Sequence, residues 1–204
     1  MVLLGDEEWA FIAEDDVHFS NNAAAFLSDE SWIPTQADLL KAETDLRWHE
    51  FSPDVWPAPR GYELRQLKST HLNAGGYFLT RKAAARLLTY SSQKCEAVDG
   101  LMFAANYMAE HELEILQLIP AICIQNGYID AHANTSPLTS VLDDERGAAK
   151  KNRRMTVAAK LKRETIRVVV QMRGLGLRAY RTLARKSAFI LVGFDRGGRV
   201  GSNR

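Results

Sequence analysis

The sequence predicts an α/β fold, and three observations predict it. Short apolar runs of strand length, at 9–13 and 75–80, alternate with longer stretches rich in Ala and Leu. Gly and Pro clusters punctuate them, most densely in "SPDVWPAPRG" (52–61), which holds three prolines. Apolar content is 46% and charged content 25%, the balance of a globular chain able to bury a core.

The elements follow in order. "WAFIA" (9–13) reads as a short buried strand. Asn21 to Ser31 reads as a short helix, with Asn21 or Asn22 as its cap. Residues 36–48 carry mixed signals and fit either a helix or a strand. Residues 52–61 must be loop. "GGYFLT" (75–80) is a strand with a flexible entry, and "RKAAARLLTYSS" (81–92) is a helix. "DGLMFAANYMAEH" (99–111) is a second helix with Asp99 placed to cap it. "EILQLIPAICIQNG" (114–127) is a strand broken by Pro120.

Charge divides the chain. Residues 1–145 hold nine Lys/Arg against 23 Asp/Glu, a balance of −14. Residues 146–204 hold 17 Lys/Arg against two acids, Glu164 and Asp195, a balance of +15. The expected organisation is an acidic domain over 1–145 and a basic helical arm over 146–204, split near Gly174 and Gly176 and disordered after Phe194. Two cysteines, Cys95 and Cys123, make no disulfide framework, so a reduced, cytoplasmic setting is expected. The first eight residues show no basic start of a signal peptide, and no uncharged run approaches the ~20 residues of a spanning helix.

The chemistry concentrates in "AFIAEDDVHFS" (10–20), where an apolar strand runs into Glu14, Asp15 and Asp16. Alternation along a strand would point Glu14 and Asp16 one way and Asp15 the other. Such a pair suits a hard divalent cation bound through oxygen, Mg²⁺ or Mn²⁺. It equally suits a solvated turn. A receiver-domain reading of the acidic pair fails further on: Asp54 follows no apolar strand, and no Lys-Pro pair occurs. In "LKSTHLNAGGYFLTRKAAARLL" (67–88), Gly75 and Gly76 allow close approach of a ligand or a positive φ. Thr70, His71 and Asn73 bring hydrogen-bonding side chains just before them. The plainer reading is a loop entering a strand, with His71 an ordinary surface histidine.

Several segments together resemble glycosyltransferase family 25, the sugar transferases of lipopolysaccharide and collagen. "FIAEDDV" resembles its "LEDD" strand and "DLLKAET" (38–44) its "IKLET" segment. "AGGYFLTRKAAARLL" (74–88), "EAVDGLMF" (96–103) and "IPAICIQ" (119–125) resemble three more, in the family's order. The resemblance implies a GT-A-like, Rossmann-like nucleotide-sugar transferase using a UDP-sugar donor and a lipid-linked or other glycan acceptor. It places Glu14, Asp15 and Asp16 at the metal–diphosphate motif, with the cation neutralising departing UDP. It makes Asp99 the candidate general base, against the alternative of a plain helix cap. Gly75, Gly76 and Tyr77 would line the sugar or acceptor pocket, the tyrosine offering a stacking face. His132 is a candidate late metal ligand or a surface histidine. The family places several dozen residues before its acidic triplet, so a fold lacking the family's first strands, with an exposed sheet edge, is expected.

The basic arm, 150–194, interleaves Arg and Lys with apolar residues and suits an anionic membrane, with "AFILVGF" (188–194) inserting shallowly. The expected location is then the inner membrane face. Nucleic-acid phosphates are the alternative partner. A competing class keeps the arm and has lost the donor site: an inactive remnant that binds membrane or nucleic acid.

Overall fold

The computed structural model describes residues 8–129 and 186–196. Its centre is a six-stranded sheet in the order β1, β8, β3, β9, β7, β6. These are Trp9–Ala13 (β1), Gly76–Thr80 (β8), Leu39–Lys41 (β3), Ile115–Ile119 (β9), Glu63–Gln66 (β7) and Trp56–Pro57 (β6). Only β3 and β9 pair in parallel; the other neighbours are antiparallel. The fold is mixed α/β as expected, but among the described residues this sheet lacks the parallel run that a Rossmann-like label implies.

Alternation along the central strands builds two cores. Leu39, Tyr77, Leu79 and Ile115 face one side, where they meet Ala83, Met102 and Phe103. These belong to helices α2 (Arg81–Ser91) and α3 (Val98–Phe103), with α4 (Ala105–His111) beside them. Leu40, Phe78, Leu64, Leu116 and Leu118 face the other side, against Phe26, Ile33, Tyr62 and Ile122. Helix α2 starts where the pattern predicts, because the Thr80 hydroxyl accepts the Ala83 N–H at 3.1 Å.

Two smaller sheets border the first. One joins β2 (Val17–Phe19), β10 (Cys123–Gln125) and β4 (Glu43–Thr44). The other pairs β11 (Ala188–Leu191) antiparallel with β5 (Trp48–Phe51). A short helix α5 (Asn126–Ile129) follows β10.

Several expectations change here. The helix over 21–31 contracts to α1, Ala24–Leu27, capped by neither asparagine. Asn22 instead donates to Asp195 at 2.9 Å and to the Tyr62 hydroxyl at 3.4 Å. Within residues 36–48, Leu39–Lys41 and Glu43–Thr44 are strands and β5 opens at Trp48, with no helix. The helix over 99–111 breaks at Ala104, whose extended backbone (φ −80, ψ 133) ends α3 and opens α4. Asp99 lies in the first turn of α3, and Ala97 holds the cap position.

The described stretch of the supposed arm, residues 186–196, is not helical. Residues 188–191 are a strand, Val192 is fully buried, and its carbonyl accepts the Thr44 hydroxyl. Asp195 is buried too. Shallow insertion of 188–194 into lipid is therefore corrected: pairing with β5 uses that backbone and the core takes Val192. Residues 130–185 and 197–204, and with them the domain boundary, His132 and most of the tail expected to be disordered, lie outside the described residues. No described helix is long and apolar enough to cross a membrane.

Candidate functional site

The site forms where β1, β3 and β9 end and β8 begins. The β3–β9 pair is parallel, and the carboxyl ends of parallel strands are where such sheets bind ligands. The Glu14 N–H bonds the Gly75 carbonyl at 3.0 Å, extending β1 by one residue. Asp15 and Asp16 then turn the chain into β2, and the Asn126 N–H holds the Asp16 carbonyl at 3.0 Å. The alternation argument for Glu14 and Asp16 thus fails, because a turn replaces the strand. The charges of Asp16 and Asp15 still reach Glu14, although among the described residues only Asp45, His49 and His71 gather their ligand atoms within 4.8 Å of one another.

The Glu14 carboxyl is pushed above its ordinary range, by burial first and then by the charge of Asp16, opposed by the amide of Gln125. The charges of Asp99 and Asp15 add to the upward push. None of Glu14, Asp15, Asp16 and Asp99 forms an ion pair among the described residues. Buried Asp16 Oδ1 has no hydrogen-bond partner there either. An all-oxygen set with an orphaned, buried carboxylate oxygen fits a hard divalent cation.

Asp99 is held from two sides. Its Oδ2 accepts the Asn73 N–H at 3.2 Å and its Oδ1 accepts the Gly100 N–H at 2.8 Å. Asn73 takes a positive φ of 75 and donates its side-chain amide to the Tyr128 hydroxyl at 2.9 Å. The glycines do a different job from the one expected. Neither has a positive φ, and both are buried. A Cβ on Gly75 would fall on the Glu43 carboxylate, and one on Gly76 on the Cys123 thiol. They admit neighbouring side chains, not a ligand. Tyr77 is 7% exposed and packs edge-on against Phe103, so its ring offers no open stacking face. Burial, then the charges of Glu14 and Glu43, push its phenol upward, which puts the hydroxyl beside the acidic cluster.

Beneath the mouth lie charges that the sequence did not reveal. Lys41 is fully buried, with Nζ 2.6 Å from Glu43 Oε1, 2.6 Å from the Asn73 carbonyl and 4.0 Å from the Phe103 ring centre. Burial lowers the lysine and raises the glutamate, and their contact opposes both shifts. Alternation in "LLKAETD" was the available signal: Lys41 and Glu43 share a face at i, i+2.

Next to them Asp45 Oδ1 lies 2.8 Å from His49 Nε2 and 3.5 Å from His71 Nε2. His49 Nδ1 meets the Thr70 carbonyl at 3.2 Å, and the two imidazoles stack at 3.9 Å. His71 is 1% exposed, which corrects its reading as a surface histidine. Burial first, then Lys41 and His49, hold its pKa well below the ordinary value. Asp45 is lowered: burial acts against this and is outweighed by His49. The trio has the donor types of a metal site. The two rings lie 19° from parallel, and both His71 nitrogens are buried without a hydrogen-bond partner. With both His49 nitrogens facing oxygens, hydrogen bonding accounts for that ring without an ion.

Beside the carboxylates opens a cleft of about 470 Å³ lined by Asp45, Arg47, Trp48, His49, Ser69, Thr70, Leu72, Asn73 and Tyr128. The fold and site therefore define a mixed α/β domain with a carboxylate-rich ligand site at its strand ends and a polar cleft beside it. Residues 2–102 match the sequence model of glycosyltransferase family 25, described as lipopolysaccharide biosynthesis proteins, and place the chain in that family. A lipooligosaccharide biosynthesis protein of Haemophilus influenzae, lex-1, is 33% identical over 159 residues, 72% of this chain and 51% of that protein. The lacto-N-neotetraose biosynthesis glycosyltransferase LgtB of Neisseria meningitidis is 29% identical over 180 residues, 82% of this chain and 64% of that protein. A second Haemophilus influenzae lipooligosaccharide biosynthesis protein, lic2B, is 26% identical over 190 residues, 89% of this chain and 66% of that protein. The chain thus spans about half to two thirds of the length of these relatives.

Proposed function

We propose that the chain acts in a hexosyltransferase with a GT-A-like fold, moving galactose or glucose from a UDP-sugar to a glycan acceptor of the lipopolysaccharide type. One observation carries the reading: at the strand ends Asp16 Oδ1 is buried without a hydrogen-bond partner, and Glu14, Asp15, Asp16 and Asp99 have no ion-pair partner among the described residues. Mn²⁺ or Mg²⁺ held by Glu14, Asp15 and Asp16 would supply the positive charge that stabilises a departing diphosphate. The roles of the relatives in lipooligosaccharide and lacto-N-neotetraose biosynthesis favour a lipooligosaccharide-type acceptor.

The chain's own residues orient the reactants and move the proton. Asp99 takes the proton of the acceptor hydroxyl as that oxygen bonds to the anomeric carbon and the sugar–phosphate bond breaks. The N–H groups of Asn73 and Gly100 fix the carboxylate for that transfer. Gly75, Gly76 and Tyr77 support the mouth from below: the glycines let Glu43 and Cys123 close the floor, and Tyr77 sets its hydroxyl beside Glu14. Basic residues between 150 and 185 hold the domain on the inner face of an anionic membrane, next to a lipid-linked acceptor.

UDP release from UDP-galactose and UDP-glucose, with lipooligosaccharide as acceptor, tests the reading on the full chain. Release should need added Mn²⁺ or Mg²⁺ and fall at least about a hundredfold in Asp16→Asn. Equal release in EDTA, or full activity of the variant, would defeat it.

A further inference from the structure

From the cleft beside Asp99 we infer a subsite for a neutral saccharide, the accepting end of the acceptor glycan, with Trp48 as the platform under its pyranose ring. The inference rests on the transferase reading and deepens it.

Position comes first. Asn73 lines the cleft, and its main-chain N–H holds Asp99 while its side chain holds Tyr128, which lines the cleft as well. A ligand hydroxyl at the Asn73 end therefore lies next to the proposed base. The volume, about 470 Å³, falls among those of small-molecule sites, about 300–1,000 Å³.

The walls have the chemistry of sugar recognition. Trp48 leaves 66% of its surface exposed, whereas the next three residues of its strand are buried. An indole held on a rigid strand presents a flat apolar surface, which matches the C–H face of a pyranose. Around it the polar groups mix donors and acceptors, as a ring of hydroxyls demands. The Ser69 and Thr70 hydroxyls accept the N–H groups of Glu50 and Ala105, which leaves each O–H proton to donate outward.

Charge excludes the nucleotide end. The permanent cation of the lining, Arg47, stands opposite Asp45, with Nε 4.0 Å from Oδ2. A near-neutral cleft offers a diphosphate little, whereas the carboxylate turn suits a metal–diphosphate. His49 does not compete with Asp99 as base, because its nitrogens face Asp45 and the Thr70 carbonyl instead of the opening.

The test is saturation-transfer NMR on the full chain with lactose, methyl β-glucoside and methyl β-galactoside, read beside acceptor kinetics. At least one saccharide should bind, and UDP should not displace it. Trp48→Ala should weaken that binding, and raise the acceptor KM, about tenfold, whereas Trp48→Tyr should change either less than about threefold. UDP affinity should stay constant in both variants. The inference falls if no saccharide of the three binds the wild type, if UDP displaces it, or if Trp48→Ala binds as well. Trp48-dependent binding without transfer would overturn the transferase reading alone. Transfer with an unchanged acceptor KM in Trp48→Ala would overturn the subsite alone.

Discussion

Two groups of carboxylates, one above the other, are treated in opposite ways. At the mouth, Glu14, Asp15, Asp16 and Asp99 lie together with no cation paired to them among the described residues. One layer below, Glu43 is paired with Lys41 and Asp45 with His49, all four buried. A buried unpaired charge costs several kcal/mol, about 3–5 when a partner is removed, which is why Lys41 and Glu43 are buried as a pair. The upper set reaches solvent and leaves its repulsion for a ligand to relieve. Interior pairs hold the floor; surface carboxylates await the cation.

Breaking each layer should therefore read out differently. The largest effect belongs to the mouth. Asp99→Asn should lower kcat by about 10²–10⁴ while the urea unfolding midpoint stays nearly unchanged. A midpoint loss of the same size as the activity loss would make Asp99 structural. Below, Lys41→Met should cost about 3–5 kcal/mol of unfolding free energy, because Glu43 stays buried without its partner. Adding Glu43→Gln should restore most of that. If the double variant is no better than the single one, the pair is not the source of the cost.

A smaller effect tests the floor. Gly76→Ala should destabilise by about 1–3 kcal/mol through overpacking against Cys123, and Cys123→Ala in the same chain should recover part of it. The smallest concerns pH. Folded His71 stays neutral below its ordinary 6.5, so between that value and its lowered one only the unfolded chain takes the proton. Its contribution is intact above pH 6.5 and erodes as pH falls, by at most about 1.4 kcal/mol per unit. Thermal melts from pH 7.5 to 5 should show this slope, and His71→Gln should flatten it. An unchanged slope in the variant would assign the pH response to another group.

The legible parts were those whose signal is local. The β1 apolar run and the Ala-rich α2 are written in adjacent residues, and so is the acidic turn. Asp99 was found through its neighbours in "EAVDGLMF". The stretch 36–48 stayed open between helix and strand because it mixes charged and apolar residues; its strand 39–41 is buried on both faces, and Lys41 is paired with Glu43 there. His49 and His71 belong to no motif. They meet because the Lys68 N–H bonds the Glu50 carbonyl, which sets the loop after β7 against β5.

The sequence alone determined the α/β class, the acidic strand end, the family and the charge split, since composition and short patterns survive any packing. Only the tertiary structure decided that Gly75 and Gly76 admit Glu43 and Cys123, that Tyr77 is inside, and that 188–191 completes a sheet with β5. Each of those depends on a partner far along the chain. A side chain's role there is set by what occupies the space beside it, and no local pattern encodes that occupant.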